Sequence, residues 1–357
     1  MIVKDEAHVL ARCLRTIEPL LSAWAIVDTG STDGTPEVAA RELGHLPGAV
    51  HSRPWRDFGT NRTEALELAR PLGPYVVWID ADEVLVREDA FELPALDADA
   101  YRIEHVANDD RTRFWLPRIV RSSLPFRWVG VLHEYLHCTR EHRAENLSGA
   151  RTLGFFDSAR NRDPKAKYAR DIETLERALE RQPTDARYVF YLAQSQRDAG
   201  RLEDAIATYA RRAAMGGWEE ETWYARYQVA VLSERAGRPV EEVEAAYLAA
   251  YELRPSRAEP LCELARLHRE QGRHALAWVY ANAAVCAARP DDLLFLDASV
   301  YEWRALDELS VASYWTGRLE DARSLQEQLL GGGRLPAGER RRVEENLAFT
   351  ERALAAR

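Results

Sequence analysis

The stretch that decides the fold is Val76-Val77-Trp78-Ile79-Asp80-Ala81-Asp82-Glu83, an apolar run that ends in three carboxylates. A short apolar run bounded by charge is typical of a buried strand in a parallel sheet, and open α/β folds bind their ligands at the carboxyl ends of such strands. If the extended geometry continues, Asp80 and Asp82 project to the same side, where they can share a divalent cation or divide cation and ribose between them. The alternative is a solvated acidic turn after the strand.

The composition indicates a globular protein with room for two domains: 357 residues, 46% of them hydrophobic and 30% charged. The net charge of −10 argues against a nucleic-acid-binding surface. No run approaches the roughly 18 apolar residues of a membrane span, and the N-terminus lacks the apolar core of a signal peptide. We therefore expect a cytoplasmic protein without a membrane span. The cysteines at 13, 138, 262 and 286 show neither metal spacing nor a disulfide framework.

The first predicted helix carries a single apolar stripe. Its members recur at spacings of three and four, namely Val9, Leu10, Cys13, Leu14, Ile17 and Leu21. This pattern places Cys13 in the core. Only Ile2 and Val3 of the preceding strand are present, which leaves open whether the native chain starts upstream of Met1.

A second strand and helix are joined by a polar turn. The strand spans residues 25–28 and the turn spans residues 29–36, whose glycines, hydroxyl residues and acid suit a tight turn. We expect the helix to begin at about Pro36, with Thr35 as its N-cap. A capped loop without a ligand is the alternative interpretation. Against it stands Asp28, an acid at the carboxyl end of a strand.

A third strand, residues 49–52, precedes a helix that we expect to begin at Asn61, and the acidic strand follows. The resulting order is βαβαβαβ. Right-handed crossovers then predict one parallel sheet, with Asp28 and Asp82 along one edge of it.

Four segments, in this order and spacing, resemble family 2 glycosyltransferases of the GT-A fold. They are Ile2 to Glu6, Val27 to Thr35, Trp55 to Arg62, and Trp78 to Glu83. The resemblance covers residues 1 to about 157. It implies a Rossmann-like domain over residues 1–157 with a mostly parallel sheet.

The resemblance also implies roles for individual residues. Asp28 matches the acid that binds the uracil or ribose of a UDP-sugar. A carboxylate suits this role because it accepts hydrogen bonds from an imide N–H or a hydroxyl group. Asp82 matches a catalytic ligand to Mn²⁺ or Mg²⁺, and Asp80 is directed toward the ribose and the metal. Arg62 matches a basic residue near the donor phosphate or sugar, with a solvated helix residue as the alternative. Donor-binding roles are likewise implied for Lys4 and Glu6.

Residues 133–137 read His-Glu-Tyr-Leu-His, which is the H-E-x-x-H motif of zinc proteases. That motif requires a helix, whereas the preceding residues 128–132 are apolar and β-branched and predict a strand, so we reject a protease. Trp128-x-Gly130-x-x-His133-Glu134 instead resembles the segment that closes the catalytic domain in this branch of the glycosyltransferase family. The resemblance implies that His133 is a third metal ligand and Glu134 the general base.

Alternatives remain for both residues. His133 can equally be a packed histidine bonded to backbone. Asp109 and Asp110, in a polar loop, compete with Glu134 for the role of base. His137 and Cys138 are interpreted as structural.

Residues 158–357 are predicted to be helical and repetitive. Gly-Arg pairs begin at 200, 237, 272 and 317, at spacings near the 34-residue period of tetratricopeptide repeats. Each glycine marks the turn between the two helices of a pair, and stacked pairs build a concave surface. This half resembles the all-α tetratricopeptide solenoid fused to a class of bacterial family 2 glycosyltransferases, some of which glycosylate peptides on Cys or Ser. Four aromatic residues either line a peptide groove or form inter-repeat core: Trp218, Trp223, Tyr224 and Trp303.

The sequence therefore predicts a metal-dependent, inverting glycosyltransferase. We expect it to move a sugar from a UDP-sugar to a hydroxyl or thiol, with a peptide or protein Ser or Cys among the candidates. The repeat domain would capture the peptide acceptor or form a homodimer. One alternative is a transferase acting on a cell-surface glycan or a lipid-linked acceptor. The other is a repeat-based interaction protein with an inactive transferase domain.

Overall fold

The structure, a computed structural model, describes residues 1–89, 91–107, 113–292 and 294–356. The chain divides into two compact units, residues 1–181 and 182–357. The first unit contains all the strands of the described residues, and the second is helical. The predicted order, an α/β domain followed by an all-α repeat array, is confirmed. The last strand ends at Gly154, and the helix Pro164–Arg181 groups with the first unit rather than with the repeats.

The first unit begins with three parallel strands in the order β1-β2-β3. The strands and the helices that connect them are β1 Ile2–Val3, α1 Ala7–Ile17, β2 Trp24–Asp28, α2 Thr35–Leu43, β3 Gly48–Ser52 and α3 Phe58–Ala69. Short 3₁₀ turns follow α1 and α3. Gly34 is the N-cap of α2, so Thr35 is already helical, and α3 begins three residues before the predicted Asn61.

The remaining strands form a second, mixed sheet and a small hairpin. In chain order they are β4 Tyr75–Val77, β5 Glu83–Arg87, β6 Ala100–Val106, β7 Arg113–Arg121, β8 Phe126–Val129, β9 Tyr135–Cys138 and β10 Ala144–Gly154. The larger sheet has the order β4-β7-β6-β10-β5, and β8 pairs with β9.

The expectation of one parallel sheet that includes the acidic strand is wrong. Among the described residues, β4 pairs antiparallel with β7, with Val76 opposite Val120, and belongs to the second sheet. The chain turns at the carboxylates, where the Glu83 N–H donates to the Asp80 carbonyl oxygen, and β5 starts at Glu83. The crossover rule could not identify a partner strand that lies some forty residues downstream.

Helix α1 connects the two cores of this unit. Five of the six predicted stripe residues are buried and divide between two clusters, whereas Leu21 lies beyond the end of α1 and is half-buried. Val9, Leu10 and Leu14 pack with the first sheet, whereas Cys13 and Ile17 pack with the second. The helix therefore holds the first sheet against the strands that carry the acidic segment.

The second unit is an array of helices whose turns contain the predicted glycines. After α4 Pro164–Arg181, its helices are α5 Ala186–Asp198, α6 Leu202–Ala214, α7 Glu219–Arg235, α8 Val240–Leu253, α9 Glu259–Glu270, α10 His274–Cys286, α11 Ala305–Trp315, α12 Leu319–Gly331 and α13 Ala337–Ala355. A π-helical turn, Val300–Arg304, leads into α11. Gly200, Gly237, Gly272 and Gly317 have φ between 71° and 78°, the left-handed conformation that ends a helix most readily at glycine.

The four aromatic residues that the sequence assigned either to a peptide groove or to inter-repeat core lie in different environments. Trp223 is fully buried and Tyr224 nearly so, in a cluster that joins α5, α6 and α7. These two residues are therefore inter-repeat core. Trp218 is 50% exposed and Trp303 is half-buried.

Within the described parts of both units, no helix is long and apolar enough to cross a membrane.

Candidate active site

Two apolar residues of the acidic segment anchor it by packing into the hydrophobic cores. Ile79 and Ala81 are 4% and 6% exposed and pack into the second and first core respectively. The flanking Asp80 and Asp82 are only half-buried, so both carboxylates remain accessible at the turn. Asp80 is anchored further, since its carbonyl oxygen accepts from the Cys13 thiol at 3.3 Å.

Arg62 brings together two of the predicted site carboxylates. Its Nη2 lies 2.7 Å from Asp80 Oδ1 and its Nε lies 2.6 Å from Glu134 Oε1, while the guanidinium carbon is 5.1 Å from the centre of the Trp128 ring. The side chains of Arg62 and Glu134 are 15% and 10% exposed, and that of Asp80 is 35% exposed. The ion pairs join three segments that are far apart in sequence. Arg62 is thus not the solvated helix residue that the sequence left open.

The electrostatic consequence is clearest at Asp80. Burial alone would raise the pKa of this carboxyl, but the charges of Arg62 and Arg118 outweigh it, and the pKa lies below its ordinary value of 3.8. Asp80 is therefore an anion across the neutral pH range.

A close backbone approach fixes Glu134 beside Arg62. The first-turn N–H groups of α3, at Phe58 and Gly59, donate to the carbonyl oxygens of Val131 and Gly130 at 3.2 and 3.1 Å. These donors have no partner within a helix, so the loop satisfies them. A Cβ at Gly59 would lie 2.4 Å from the Gly130 oxygen, so this contact requires glycine at residue 59.

Asp82 lies in a different environment. Burial and then the neighbouring charge of Asp80 raise the pKa of Asp82, although a hydrogen bond with the Ser158 side chain opposes the shift. The Asp82 carbonyl oxygen accepts from the Phe155 N–H at 3.0 Å. Asp82 is therefore a partly desolvated acid with a raised pKa, in contrast to Asp80, which lies 2.7 Å from Arg62.

Glu6, predicted to bind the donor, contacts the segment that follows β10. Its Oε2 accepts from the Ala159 N–H at 3.2 Å, and the residue is 8% exposed. Burial, with a contribution from the charge of Asp82, raises the pKa of Glu6 to about 7. Lys4 is exposed at the end of β1.

The third acid of the segment, Glu83, is structural. It is 6% exposed, and its Oε1 accepts from Nη2 of Arg118, itself 2% exposed, at 2.6 Å. Its Oε2 accepts from the Asp80 N–H at 3.1 Å, so Glu83 shapes the turn from within. Sequence reasoning missed Arg118 in this role, because no local signal connects it with Glu83.

Asp28 terminates β2 and organises the turn after it. It is 6% exposed, and its carboxylate accepts from the N–H groups of Gly30 and Ser31, with distances of 3.2 to 3.3 Å. Gly30 has φ of 103°, which favours glycine. The prediction that Asp28 lies in a tight turn at a strand end is confirmed by this geometry.

The loops after β1 and β2 are joined by side-chain hydrogen bonds. Asp5 Oδ1 accepts from the Thr32 N–H at 2.7 Å, and the Asp5 N–H donates to Ser31 Oγ at 2.9 Å. In the next residues along, Thr35 Oγ1 accepts from the Glu6 N–H at 2.8 Å. Asp33 Oδ2 accepts from the Ala7 N–H at 3.0 Å. The polar side chains within residues 29–36 therefore fix the loop after β2 against the loop after β1.

The predicted metal trio is not assembled. In the parts of the chain that the structure describes, no three His, Cys, Asp or Glu side chains form a group able to hold a metal ion. His133 is exposed, with φ of 51°, on the loop between β8 and β9. Asp80, Asp82 and His133 are thus not gathered into one such group in this structure, and their shared role as metal ligands stays a prediction.

Residues 133–137, the H-E-x-x-H sequence, do not form a helix. This agrees with the rejection of a zinc protease, whose motif requires one. His133 and Glu134 lie in the loop, and His137 and Cys138 lie on β9. The strand predicted to run to Leu132 ends at Val129. The competing bases Asp109 and Asp110 lie outside the described residues.

Residues 1–101 match the family model "Glycosyl transferase family 2". The first unit therefore carries a family 2 glycosyltransferase domain over that stretch.

A TPR repeat-containing protein of Synechococcus elongatus is 37% identical over 93 residues, which are 26% of this chain and 22% of that protein. The match thus spans about a fifth of the length of this curated relative. Among solved structures, BtubC from P. vanneervenii aligns with a TM-score of 0.41 and 17% identity, over 56% of this chain and 85% of BtubC. A thermophilic TPR protein in Thermus thermophilus aligns with a TM-score of 0.36 and 17% identity, over 51% and 92% of the two chains.

Proposed function

We propose that the first unit transfers a sugar from a UDP-sugar to a hydroxyl or thiol acceptor with inversion, using Mn²⁺ or Mg²⁺. The observation that carries the proposal is the pair of ion pairs that Arg62 makes with Asp80 and Glu134. They join the acidic segment to the loop that follows β8. We assign Asp80 to the donor side and Glu134 to the acceptor side. Residues 1–101, which include Asp80 but not Glu134, are the part that matches the family 2 model.

The donor set fits a hard cation held together with a diphosphate. Mg²⁺ is commonly bound through one or two carboxylates plus substrate phosphates rather than by a full protein cage. Asp82 would be the principal ligand, because burial and Asp80 make its negative charge costly and a cation would offset that cost. Asp80, already paired with Arg62, would contribute from the same segment. When bound, the cation supplies charge neutralisation for the departing diphosphate.

The nucleotide would lie at Asp28. A carboxylate offers about four acceptor sites, so Asp28 can hold its turn through Gly30 and Ser31 and still accept from an imide or hydroxyl of the ligand. Lys4, exposed beside this region, and Glu6 retain their proposed donor-binding roles.

The chemical step would be a single displacement. The acceptor oxygen or sulfur forms a bond to the anomeric carbon while the bond from that carbon to the diphosphate oxygen breaks. Glu134 takes the acceptor proton, and the electron pair leaves with the diphosphate. Arg62 orients Glu134 through the 2.6 Å ion pair and keeps positive charge next to the acidic segment.

The test is release of UDP from a panel of UDP-sugars, with and without Mn²⁺, for the wild type and Asp82→Asn. We expect slow, metal-dependent release from one sugar donor and a loss of at least about a hundredfold in the variant. Asp89→Asn, an exposed acid after β5, is the matched control and should retain wild-type activity. Release that is independent of metal and equal in all three proteins would overturn the proposal.

The second unit would capture a peptide acceptor. Its helix pairs form a stacked array, and such arrays present extended concave surfaces. Its role in acceptor capture is tested by deleting it and comparing transfer to a peptide with the slow hydrolysis of the donor. We expect transfer to fall and hydrolysis to persist.

A further inference from the structure

Arg62 lies between two carboxylates to which the proposed function gives different tasks. Its Nη2 is 2.7 Å from Asp80 Oδ1, and its Nε is 2.6 Å from Glu134 Oε1. Asp80 is assigned to the donor and its cation, and Glu134 to the acceptor proton. The guanidinium therefore compensates the charge of an acid that the cation also needs. Arg62 and a divalent cation compete for Asp80.

The guanidinium of Arg62 is held in this position. Its side chain is 15% exposed, and the guanidinium carbon lies 5.1 Å from the centre of the Trp128 ring. Arg62 belongs to the second turn of α3, and the first turn of that helix is bonded to the loop that carries Gly130 and Val131. Because a guanidinium stays charged at all ordinary pH values, the positive charge next to Asp80 is permanent.

The ion pairs leave part of the hydrogen-bonding capacity of Arg62 unused. Its Nε is buried and has no hydrogen-bond partner among the described residues, although Glu134 Oε1 is only 2.6 Å away. This contact compensates charge without the alignment of a hydrogen bond. A buried donor in such a state gains free energy when a charged acceptor aligns with it, and a diphosphate oxygen is such an acceptor. Arg62 is therefore suited to an anionic ligand from outside the protein.

The charges at the acidic segment disfavour a cation that arrives alone. A cation bound by Asp80 lies close to the guanidinium that is 2.7 Å from the same carboxylate, and like charges repel strongly where water is largely excluded. Asp82 attracts the cation from the same segment, so the balance depends on whether the charge of Arg62 is offset. A diphosphate that arrives with the cation brings negative charge, which offsets the repulsion and gives Arg62 a further partner.

We propose that Arg62 is a positioning residue that makes cation binding at Asp80 and Asp82 conditional on a diphosphate. Without nucleotide, Arg62 compensates Asp80, and the segment holds a divalent cation weakly. With UDP, Arg62 pairs with the diphosphate, and Asp80 becomes available to the cation. This rests on the proposed function for the cation and the donor, and it adds a reason why the two bind together.

The experiment is calorimetric titration of the full chain with Mn²⁺, with and without UDP, after subtraction of the binding of Mn²⁺ to UDP in buffer. For the wild type we expect UDP to tighten Mn²⁺ binding at least about tenfold. Without UDP, Arg62→Met should bind Mn²⁺ about tenfold more tightly than the wild type, because Asp80 has lost the competing charge. The same variant should lose most of the tightening that UDP causes.

Further variants separate this role from a structural one. Arg62→Lys keeps the positive charge and should keep the wild-type pattern of weak binding that UDP tightens. Arg56→Gln, at an exposed arginine 3.9 Å from Glu64, should match the wild type in both titrations. Partial unfolding weakens binding, so it cannot produce the tighter binding expected of Arg62→Met. If that variant does not fold, Arg62→Met combined with Glu134→Gln takes its place, because the second substitution removes the uncompensated charge.

Two results would overturn the proposal. One is nucleotide-free Mn²⁺ binding that is unchanged or weaker in the folded Arg62→Met protein, and the other is equal Mn²⁺ binding by the wild type with and without UDP. The first result, together with UDP-dependent binding by the wild type, would remove the role of Arg62 and leave the proposed function standing. Absence of Mn²⁺ binding in every protein, even with UDP, would refute the metal dependence of the proposed function as well.

Discussion

Replacement of Arg62 by Met tests how the candidate site is held together. The variant leaves Asp80 and Glu134 without the cation that lies 2.7 and 2.6 Å from them. Removing one partner from a buried ion pair commonly costs 3–5 kcal/mol, because the remaining charge stays desolvated. Glu134 is 10% exposed and carries the full penalty, whereas Asp80 is 35% exposed and carries a reduced one. We expect a loss of about 3 kcal/mol in the free energy of unfolding.

The assay is urea denaturation of the wild type and the variant, followed by tryptophan fluorescence. Arg56→Gln is the matched control, since Arg56 is 62% exposed and lies 3.9 Å from Glu64. A pair of this kind contributes less than about 1 kcal/mol. Adding Glu134→Gln to Arg62→Met should recover part of the loss, because the uncompensated charge is then gone. The reasoning is refuted if Arg62→Met costs no more than the control, or if the second substitution recovers nothing.

Two further predictions concern the loops around the site. The pKa of Glu6 is raised from 4.5 to about 7, so the folded state binds the extra proton between these values and its stability falls as pH rises through that window. The free energy of unfolding, measured against pH, should fall by up to about 3 kcal/mol between pH 4.5 and pH 7 in the wild type, and this fall should be absent in Glu6→Gln. Parallel curves for the two proteins would contradict this expectation. Asp33→Ala removes the acceptor for the N–H groups of Ala7 and Thr35, and should cost about 2 kcal/mol and weaken UDP binding in calorimetry. Glu37→Gln, in the first turn of α2, is the control and should cost less than about 0.5 kcal/mol. Equal effects of the two substitutions would show that the loop hydrogen bonds contribute nothing.

Much of the candidate site is local, and the sequence alone predicted it. Asp28 follows directly on an apolar strand, and the turn that it organises involves residues two and three positions later. The same locality explains why the buried stripe of α1 and the glycine turns of the repeat array were correctly predicted. In each case the determining contacts lie within a few residues, where periodicity and turn chemistry act.

The sequence could not show which acids would be paired. Arg62 and Glu134 are more than seventy residues apart, and they meet because glycine at residue 59 permits the α3 backbone to approach Gly130. The pairing of Glu83 with Arg118 is equally remote and assigns the third acid of the segment to the core. Sequence reasoning noted three carboxylates in the segment and gave roles to Asp80 and Asp82, and packing shows that the third, Glu83, is structural.

The sequence by itself determined the order of the domains, the acidic segment at the end of an apolar run, and the repeat period. These follow from hydrophobic patterning and turn residues, which act over short separations. Only the tertiary structure decided that the acidic strand pairs antiparallel with β7, that Trp223 is core, and that His133 does not complete a three-ligand metal group in the described residues. The physical reason is that strand pairing, burial and charge neutralisation depend on which distant segments share space, and a one-dimensional pattern does not contain that information.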